Sequence, residues 1–423
     1  MCGLYARSRE SGLRRVCGLI VLAAAAVGAS VGECVDWPQF RGPGRDGKSP
    51  ETGLLRQWPD GGPGLLWAVD GLGIGFSSCA VADGMVYTTG MEDGVGYICA
   101  VDTEGRPIWK MPYGAEWTGQ HPGSRTTPTV DGALLYVMTA YGRVGCFDAK
   151  TGEEKWAVDT AQTFGARTLT WGLAESLLID GDRVICTPGG PDATMVALDK
   201  MTGRTVWVST GLSDKAGYCS PILIERGGRR IICTLTGSAV VGIDADTGRL
   251  LWRSERSVPY DIHATAPEYS NGRLYVTSGY GGVRGQMFEL SPDGSQIALR
   301  WTDSNLDVQH GGTILHQERV YGSSDRNRPG RWLCLDIAAG QVLAETPGVG
   351  KGSLSFADGM IYAYGERGGV VGLVNPDPRE YGLVSSFRIT RGAGQHWAHP
   401  AIANGRLYIR RGDVLMAFDI RAR

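Results

Sequence analysis

Apolar and polar residues alternate in short runs along most of the chain, and these runs recur at intervals of 41 to 49 residues. Alternation with a period of two predicts β-strands, and a tight turn precedes one strand of every run. Asp-Gly or Asn-Gly pairs occupy most of these turns, which predicts a hairpin between the first and second strand of each unit. The eight turns begin at Asp83, Asp131, Asp180, Gly227, Asn271, Gln317, Asp358 and Asn404.

A second pattern follows in each unit: a strand that ends in Asp, a polar turn that often contains Thr-Gly, and a strand that carries Trp. The tryptophans are Trp109, Trp156, Trp207, Trp252 and Trp301. Units six and seven are degenerate, with Leu343 and Phe387 in the last strand. Four strands per repeat of this length predict one propeller blade per unit.

The eighth unit reaches Asp419 and leaves no room for a last strand before Arg423. Leu65 to Asp70 has the pattern of an outer strand and precedes the first complete unit. We therefore expect an all-β, eight-bladed β-propeller over residues 65–423, closed by the N-terminal strand joining the last blade. Seven blades is the alternative, should the unit from Asp358 to Phe387 prove irregular.

The Asp, the Thr-Gly turn and the following Trp resemble the repeats of the pyrroloquinoline-quinone (PQQ)-like family, over roughly residues 65 to 423. In that family the Trp docks between neighbouring blades. The opening Trp37-Pro38-Gln39-Phe40-Arg41-Gly42-Pro43 is similar to the leader of many exported bacterial PQQ-like proteins. We expect residues 30–64 to be a Gly/Pro-rich coil packed on the propeller, with a flexible linker as the alternative.

Residues 1–29 have the layout of a secretory signal peptide. Four arginines precede the apolar run Val16 to Val27, and small residues follow it around Ala29. We therefore expect an exported protein, in the periplasm or cell envelope or secreted. An uncleaved anchor and a lipoprotein at Cys34 are the alternatives, although the apolar run is short for a bilayer span and Glu33 disrupts a lipobox.

Eight of the ten cysteines follow the predicted signal peptide. Cys99, Cys146 and Cys334 hold matching positions in three repeats, which a ring places a blade or more apart. We expect buried free thiols rather than disulfides. The formal net charge of −2 and the absence of a dense basic patch argue against nucleic acid as a partner.

The innermost strands of a propeller converge on a central channel, so residues just before them are candidates for a site. His263 and His396 each lie eight residues before an Asn-Gly turn, and we expect them to face the axis together. The candidate ligand-binding residues at the channel mouth are His121, Arg125, Trp171, Tyr218, His263, His310, Lys351, His396 and His399.

Imidazoles, a guanidinium, an amine and aromatic rings suit a small anionic or planar ligand, or an acidic peptide. The alternative is that these groups bond backbone carbonyls and water in the funnel. No metal site is assigned, because His396 and His399 lack a third ligand. Asp261 and Asp307 are interpreted as turn acceptors rather than general bases. The glycine-rich stretch Gly279 to Gly285 joins strands, so it offers no helix N-terminus to a phosphate.

Two functions are weighed against each other, and another hydrolytic or lyase-type activity also remains open. The chain resembles BamB-like envelope proteins, which implies a non-catalytic binding or scaffold role with a protein partner or small ligand, as a monomer that can associate peripherally with a membrane. The alternative is a PQQ-dependent quinoprotein oxidoreductase holding PQQ with Ca²⁺. Against it, no two cysteines are adjacent, whereas quinoprotein alcohol dehydrogenases carry such a pair, and their calcium and base residues have no match here. We favour the non-catalytic role, with no cofactor.

Overall fold

The computed structural model describes residues 35–281 and 285–422, and the predicted signal peptide, Cys34 and part of the loop from Gly279 to Gly285 lie outside this range. Within the described residues, thirty-two strands form eight four-stranded antiparallel sheets. The first strand, β1 (Gly64–Val69), belongs to the last sheet.

The first four blades follow in chain order, each as a meander of four strands. Blade 1 is β2 (Ala80–Ala82), β3 (Met85–Glu92), β4 (Val95–Asp102) and β5 (Pro107–Ala115). Blade 2 is β6 (Thr129–Asp131), β7 (Leu134–Met138), β8 (Arg143–Asp148) and β9 (Glu154–Asp159). A single-turn helix, α1 (Thr160–Phe164), follows. Blade 3 is β10 (Leu178–Asp180), β11 (Arg183–Cys186), β12 (Val196–Asp199) and β13 (Thr205–Val208). Blade 4 is β14 (Ile222–Arg226), β15 (Arg229–Leu235), β16 (Ala239–Asp244) and β17 (Leu250–Glu255).

The second half repeats this arrangement after a 3₁₀ turn at Pro259–Asp261. Blade 5 is β18 (Glu268–Ser270), β19 (Arg273–Val276), β20 (Gly285–Leu290) and β21 (Ile297–Asp303). Blade 6 is β22 (Ile314–His316), β23 (Arg319–Ser323), β24 (Trp332–Asp336) and β25 (Val342–Thr346). Blade 7 is β26 (Gly352–Ala357), β27 (Met360–Gly365), β28 (Val370–Asn375) and β29 (Gly382–Arg388). Blade 8 is β30 (Ala401–Ala403), β31 (Arg406–Arg411) and β32 (Val414–Asp419), completed by β1.

The predicted closure of the ring is confirmed. Strand β1 pairs antiparallel with β32, with Leu65 opposite Phe418 and Trp67 opposite Ala417. The predicted hairpin turns are confirmed as well: in the first, Asp83 and Gly84 have φ angles of 49° and 76° between paired strands. The molecule is an all-β, eight-bladed propeller, and among residues 35–281 and 285–422 no helix is long and apolar enough to cross a bilayer.

The repeated tryptophans join each blade to the next. The indole N–H of Trp109 donates to the carbonyl of Ala149 at 3.2 Å, and that of Trp156 donates to Lys200 at 2.9 Å. Trp67, Trp207, Trp252 and Trp301 make the same bond to the following blade. Burying an indole in such a seam contributes about 2–3 kcal/mol through its apolar area.

Blades 6 and 7 lack this tryptophan, and two other aromatic residues take its place. The strand register puts Ala344 and Ser385, not Leu343 and Phe387, at the tryptophan position. Tyr381, in the loop before β29, lies 5.9 Å from the Tyr321 ring, a spacing close to the 6.0 Å between Tyr87 and Trp109.

In blade 7 the replacement comes from the N-terminal segment. Trp58 lies 6.0 Å from the Tyr362 ring and 5.2 Å from Phe387, and it is 3% exposed. Its backbone N–H donates to the Ser385 hydroxyl at 3.0 Å. A segment outside the repeats therefore fills the seam that blade 7 leaves open.

Serine and threonine hydroxyls link the inner strands around the channel. The backbone N–H of Ser78 donates to Thr127 Oγ1, that of Thr127 to Ser176 Oγ, and that of Ser176 to Ser220 Oγ, each at 3.0 Å. The matching positions of blades 5 and 6 are Ala266 and Gly312, and the Arg41 guanidinium lies against Gly312.

Residues 35–64 cross the channel and contact all eight blades, and we call this stretch the crossing segment. It pairs with blade 1 between Trp37 and Val81, and it meets the other blades through hydrogen bonds from both backbone and side chains. The partners in blades 2 to 8 are Val130, Leu177, Pro221, Glu268, Thr313, Phe356 and Gly405.

Two buried arginines anchor the crossing segment. Arg41 pairs with Glu268 at 2.6 Å, and burial raises the pKa of Glu268 to about 7 although Arg41 opposes the shift. Arg45 donates to the carbonyls of Ser176, Leu177 and Pro221 at 2.7–2.9 Å. The channel is therefore filled by the chain's own N-terminal region over part of its length.

Seven cysteines within the described residues are buried and unpaired, as expected: Cys79, Cys99, Cys146, Cys186, Cys219, Cys233 and Cys334. Burial raises the pKa of Cys79 to about 12 and that of Cys219 to about 11. These thiols act as small apolar groups of the core.

Candidate functional site

One register position supplies a ring of eight residues at the channel mouth. In seven blades it lies four residues before the first paired residue of the inner strand. In blade 7 the inner strand begins three residues earlier, and the position lies four residues before Ser355, the partner of Tyr362. In chain order the residues are Phe76, Arg125, Ala174, Tyr218, Ala264, His310, Lys351 and Trp397. Since strands at one register point the same way, all eight approach the axis.

Seven of these eight residues line a cavity of about 310 Å³, all except Lys351. Phe40 of the crossing segment also lines it, so the cavity is a cup rather than an open channel. The remaining lining residues are His121, Trp171, Ser176, Ser220, Ile262, Tyr280, Gln309 and His399.

Aromatic rings form two groups in this cup. Trp397 is the centre of the first, with its ring 4.9 Å from Phe76, 5.0 Å from His121 and 5.2 Å from His310. Trp171 is the centre of the second, 6.4 Å from Tyr218 and 5.8 Å from the exposed Tyr260. Rings on two sides can enclose a flat group between them.

Arg125 is the one lysine or arginine among the described lining residues. Its guanidinium lies 5.6 Å from the centre of the Phe76 ring and donates to the carbonyls of Gly123 and His121, each at 2.7 Å. It forms no ion pair within the described part of the chain, and burial lowers its pKa while the charge of Glu116 opposes that shift. A cation in an apolar cup attracts an anionic group.

His399 is a buried, neutral histidine in the lining of the cup. Its Nε2 is 2.8 Å from the carbonyl oxygen of His310, and its ring packs edge-on against Phe40 at 5.0 Å. Burial, reinforced by Arg41, lowers the pKa of His399 to about 3. Its Nδ1 is buried without a partner among the described residues, so it is available as an acceptor.

Three of the nine candidate residues lie outside the cavity. His263 is fully buried with Nε2 3.3 Å from the Arg256 carbonyl, and burial lowers its pKa to about 3. His396 bonds Tyr364 through Nδ1 at 2.6 Å. Lys351 lies 2.9 Å from Asp325 and 3.3 Å from Glu366.

A shift of one residue explains why His263 and His396 miss the cavity. The ring positions in blades 5 and 8 are the next residues, Ala264 and Trp397. Neighbouring side chains of an extended segment point to opposite sides, so His263 and His396 turn away from the axis. The other six candidates, His121, Arg125, Trp171, Tyr218, His310 and His399, are brought together. Phe40, Phe76 and Trp397 were missed, although Phe76 and Trp397 share the register of Arg125 and His310.

Several residues around the cavity have a positive φ angle, a left-handed backbone conformation that residues other than glycine disfavour. His121 has φ 55° and Tyr218 has φ 66°, and both line the cup. Tyr260, beside Trp171, has φ 61°, and the next residue, Asp261, has φ 58°. Such strain concentrates at functional sites, because the surrounding fold must hold it.

The lining does not fit a divalent cation. Ca²⁺ takes six to eight oxygen ligands with carboxylates among them, and no aspartate or glutamate lines the cup within the described residues. No three His, Cys, Asp or Glu side chains in residues 35–281 and 285–422 are grouped to hold a metal. Asp307 accepts from the backbone amides of Asp325 and Arg326, in the loop that follows β23, at 3.2 and 2.9 Å.

Two groups of known proteins are similar to this chain. Quinoprotein alcohol dehydrogenase PedH of Pseudomonas putida is 29% identical over 155 residues, covering 35% of this chain and 25% of that protein. The outer membrane protein assembly factor BamB of Burkholderia pseudomallei is 28% identical over 193 residues, covering 43% of this chain and 45% of that protein. The chain thus spans a quarter to less than half of these relatives.

Among solved structures, the quinohemoprotein alcohol dehydrogenase ADHIIG of Pseudomonas putida matches with a TM-score of 0.63 and 14% identity, covering 92% of this chain and 80% of that one. This likeness shows the fold. The sequence model described as outer membrane protein assembly factor BamB matches residues 94–346, more than half of the chain. The chain therefore belongs to the BamB family of β-propellers.

Proposed function

We propose that this protein is a non-catalytic binding propeller of the cell envelope, which holds an anionic or planar group in the cup at its channel mouth. The group comes from a small ligand or from an acidic segment of a protein partner. The observation that carries the proposal is Arg125, a cation that lies against the Phe76 ring in a cup lined by aromatic residues and that forms no ion pair within the described residues.

The two aromatic groups support a flat ligand. Trp397 and Trp171 lie in the same cup, and each is braced by further rings rather than free to rotate. Ligand stacking on fixed rings costs little ordering of the protein. The strained backbone at His121 and Tyr218 supports the same interpretation.

The polar groups of the cup favour binding over catalysis. Arg125 is held by backbone carbonyls, and His399 is neutral at physiological pH. A quinoprotein needs a cation beside its cofactor, and the lining offers no carboxylate to hold one within the described chain. A binding role in the envelope also agrees with the name of the family, an assembly factor for outer membrane proteins.

The remaining parts of the proposal concern place and partner. A signal peptide at residues 1–29 would deliver the protein to the periplasm, where it would act as a monomer and contact the membrane peripherally. The partner would be a protein of the envelope, because BamB relatives are named as assembly factors.

The test uses 8-anilinonaphthalene-1-sulfonate, a flat aromatic anion whose fluorescence rises in apolar sites. We expect binding at one site per chain, weakened about tenfold by Arg125→Gln through loss of charge-assisted bonds. Arg226→Gln is the matched control, because Arg226 also donates to a carbonyl, that of Ser291 at 3.2 Å, but lies outside the cup. Equal affinity of both variants would overturn the proposed site.

A second arm separates binding from quinoprotein chemistry. PQQ is added with Ca²⁺ or with a chelator, and quinone absorbance and alcohol oxidation are followed. We expect no calcium-dependent absorbance change and no turnover. If the parent protein instead oxidises alcohol in a calcium-dependent way, and Ala264→Trp abolishes this turnover by filling the cup, the protein is a quinoprotein enzyme.

A further inference from the structure

A second cavity, of about 560 Å³, opens between blades 6 and 7, on the side of the hairpin turns. It lies where blade 6 has Ala344 in place of tryptophan and where the loop from Pro376 to Tyr381 is longer than the usual Thr-Gly turn. The side chains around it are His316, Gln317, Arg319, Tyr321, Leu343, Asn375, Pro376, Asp377, Pro378 and Arg379.

Arg319 begins the second strand of its blade, opposite the Asp that ends the third. Three other arginines begin the second strand at this register, and one of them, Arg273, pairs with Glu318 of blade 6. Arg183 reaches the next blade and pairs with Asp246 at 3.2 Å. Arg406 likewise pairs with Glu104 of blade 1 at 3.4 Å. In both seams the acidic residue is the second residue after the one that ends the third strand of the neighbouring blade.

The corresponding acid for Arg319 is Asp377, two residues after Asn375. Asp377 is instead bound by Arg379 of its own loop, at 2.7 Å from Nη2 and 3.2 Å from Nε. Arg319 makes no ion pair within residues 35–281 and 285–422, and its Nη1 lies 3.5 Å from Gln317 Oε1. Arg319 therefore lacks the carboxylate of the neighbouring blade with which Arg183 and Arg406 each pair.

The charge of Arg319 reaches His316, and the cavity also has an apolar wall. The pKa of His316 is lowered first by burial and then by the charges of Lys48 and Arg319. Leu343 is 42% exposed, and Pro376 and Pro378 stiffen the loop opposite it. A cation beside exposed aliphatic surface suits an acidic segment with apolar side chains better than a free inorganic anion.

We propose that the seam between blades 6 and 7 is a docking site for an extended acidic segment of a protein partner. A carboxylate of the segment pairs with Arg319, as Asp246 pairs with Arg183, and an apolar side chain covers Leu343. The site is separate from the channel-mouth cup, so it stands or falls independently of the proposed function.

The test measures fluorescence anisotropy of a short labelled peptide that alternates Glu and Leu, with Lys-Leu and Glu-Ser peptides for comparison. We expect the Glu-Leu peptide to bind and to weaken at high salt. Arg319→Gln should reduce its affinity roughly fivefold, the effect of one partly exposed ion pair. Arg379→Ala should also weaken binding, because it frees Asp377 to neutralise Arg319.

Arg183→Gln is the matched control, since it removes the same residue type from the same register in a seam that has its own carboxylate. Unchanged binding in this variant, with loss in Arg319→Gln, supports the site. Equal loss in both variants, equal binding of the Lys-Leu peptide, displacement by inorganic phosphate, or no binding of the Glu-Leu peptide would overturn it. Thermal unfolding of each variant shows whether the fold is retained.

Discussion

The backbone amide of Trp58 donates to the hydroxyl of Ser385, and this bond places the Trp58 indole in the seam where blade 7 has no tryptophan of its own. Tyr362 and Phe387 enclose the ring at 6.0 and 5.2 Å. The N-terminal segment is thus part of the packing of blade 7.

Trp58→Ala should destabilise the propeller by about 3–5 kcal/mol, because it empties a closed seam. Urea denaturation measures the loss. Trp117→Ala is the control, since the half-buried Trp117 should cost less. Adding Ser385→Trp to Trp58→Ala should restore part of the stability, because it places a tryptophan at the position that the repeat uses in other blades. If the two changes simply add their losses of stability, Trp58 does not stand in for the missing tryptophan of blade 7.

Gly248 and Gly84 have nearly the same φ, 74° and 76°, but differ in surroundings. A Cβ at Gly248 would lie 2.6 Å from the Trp207 ring, and a Cβ at Gly84 would meet nothing within 4 Å. Gly84→Ala should cost about 1–2 kcal/mol through backbone strain alone. Gly248→Ala should cost roughly 1–3 kcal/mol more, because the indole must move. Equal losses on denaturation would disprove close packing of the tryptophan on this turn.

His263 should make stability depend on pH below its ordinary pKa of 6.5. The folded state holds that pKa at about 3, so the unfolded state alone binds the proton between pH 6.5 and 3. Stability is therefore lost as the pH falls, by at most about 1.4 kcal/mol per pH unit for this group. Denaturation of His263→Gln at pH 7 and pH 5 should show a smaller decline than the parent protein, and an identical decline would show that His263 titrates normally.

Residues 1–34 fused to an alkaline phosphatase that lacks its own leader should give periplasmic activity. The arginines ahead of the apolar run, and the small residues after it, are what the export machinery recognises. Replacing Leu22 with Arg interrupts the run and should retain the enzyme in the cytoplasm. Activity that survives this change would refute a signal peptide.

The sequence predicted the blades and their closure well, because each blade repeats a turn, an Asp and a Trp at fixed offsets. Trp67 could be matched to the incomplete last blade for the same reason. The replacements at Ala344 and Ser385 could not be foreseen, since Tyr381 and Trp58 reach those seams from outside the repeat pattern.

The cavity was predicted in part, and the error had a physical origin. Counting back from the Asn-Gly turns selected His263 and His396, one residue before the ring positions Ala264 and Trp397. In an extended segment one residue separates a side chain that faces the axis from one that faces the neighbouring blade. Phe40 belongs to the crossing segment, which is not part of any repeat. The spacing of the repeats therefore could not predict that Phe40 lines the cavity.

The crossing segment changes how the ring should come apart. In a stack of repeats each unit touches only its neighbours, so units can be lost one after another from an end. Here a single stretch of chain joins every blade at the axis, like a hub that joins the spokes of a wheel. Unfolding of any one blade breaks its hydrogen bonds to this shared segment and so weakens the contacts of the segment with the other seven blades. The propeller should therefore unfold as one cooperative unit.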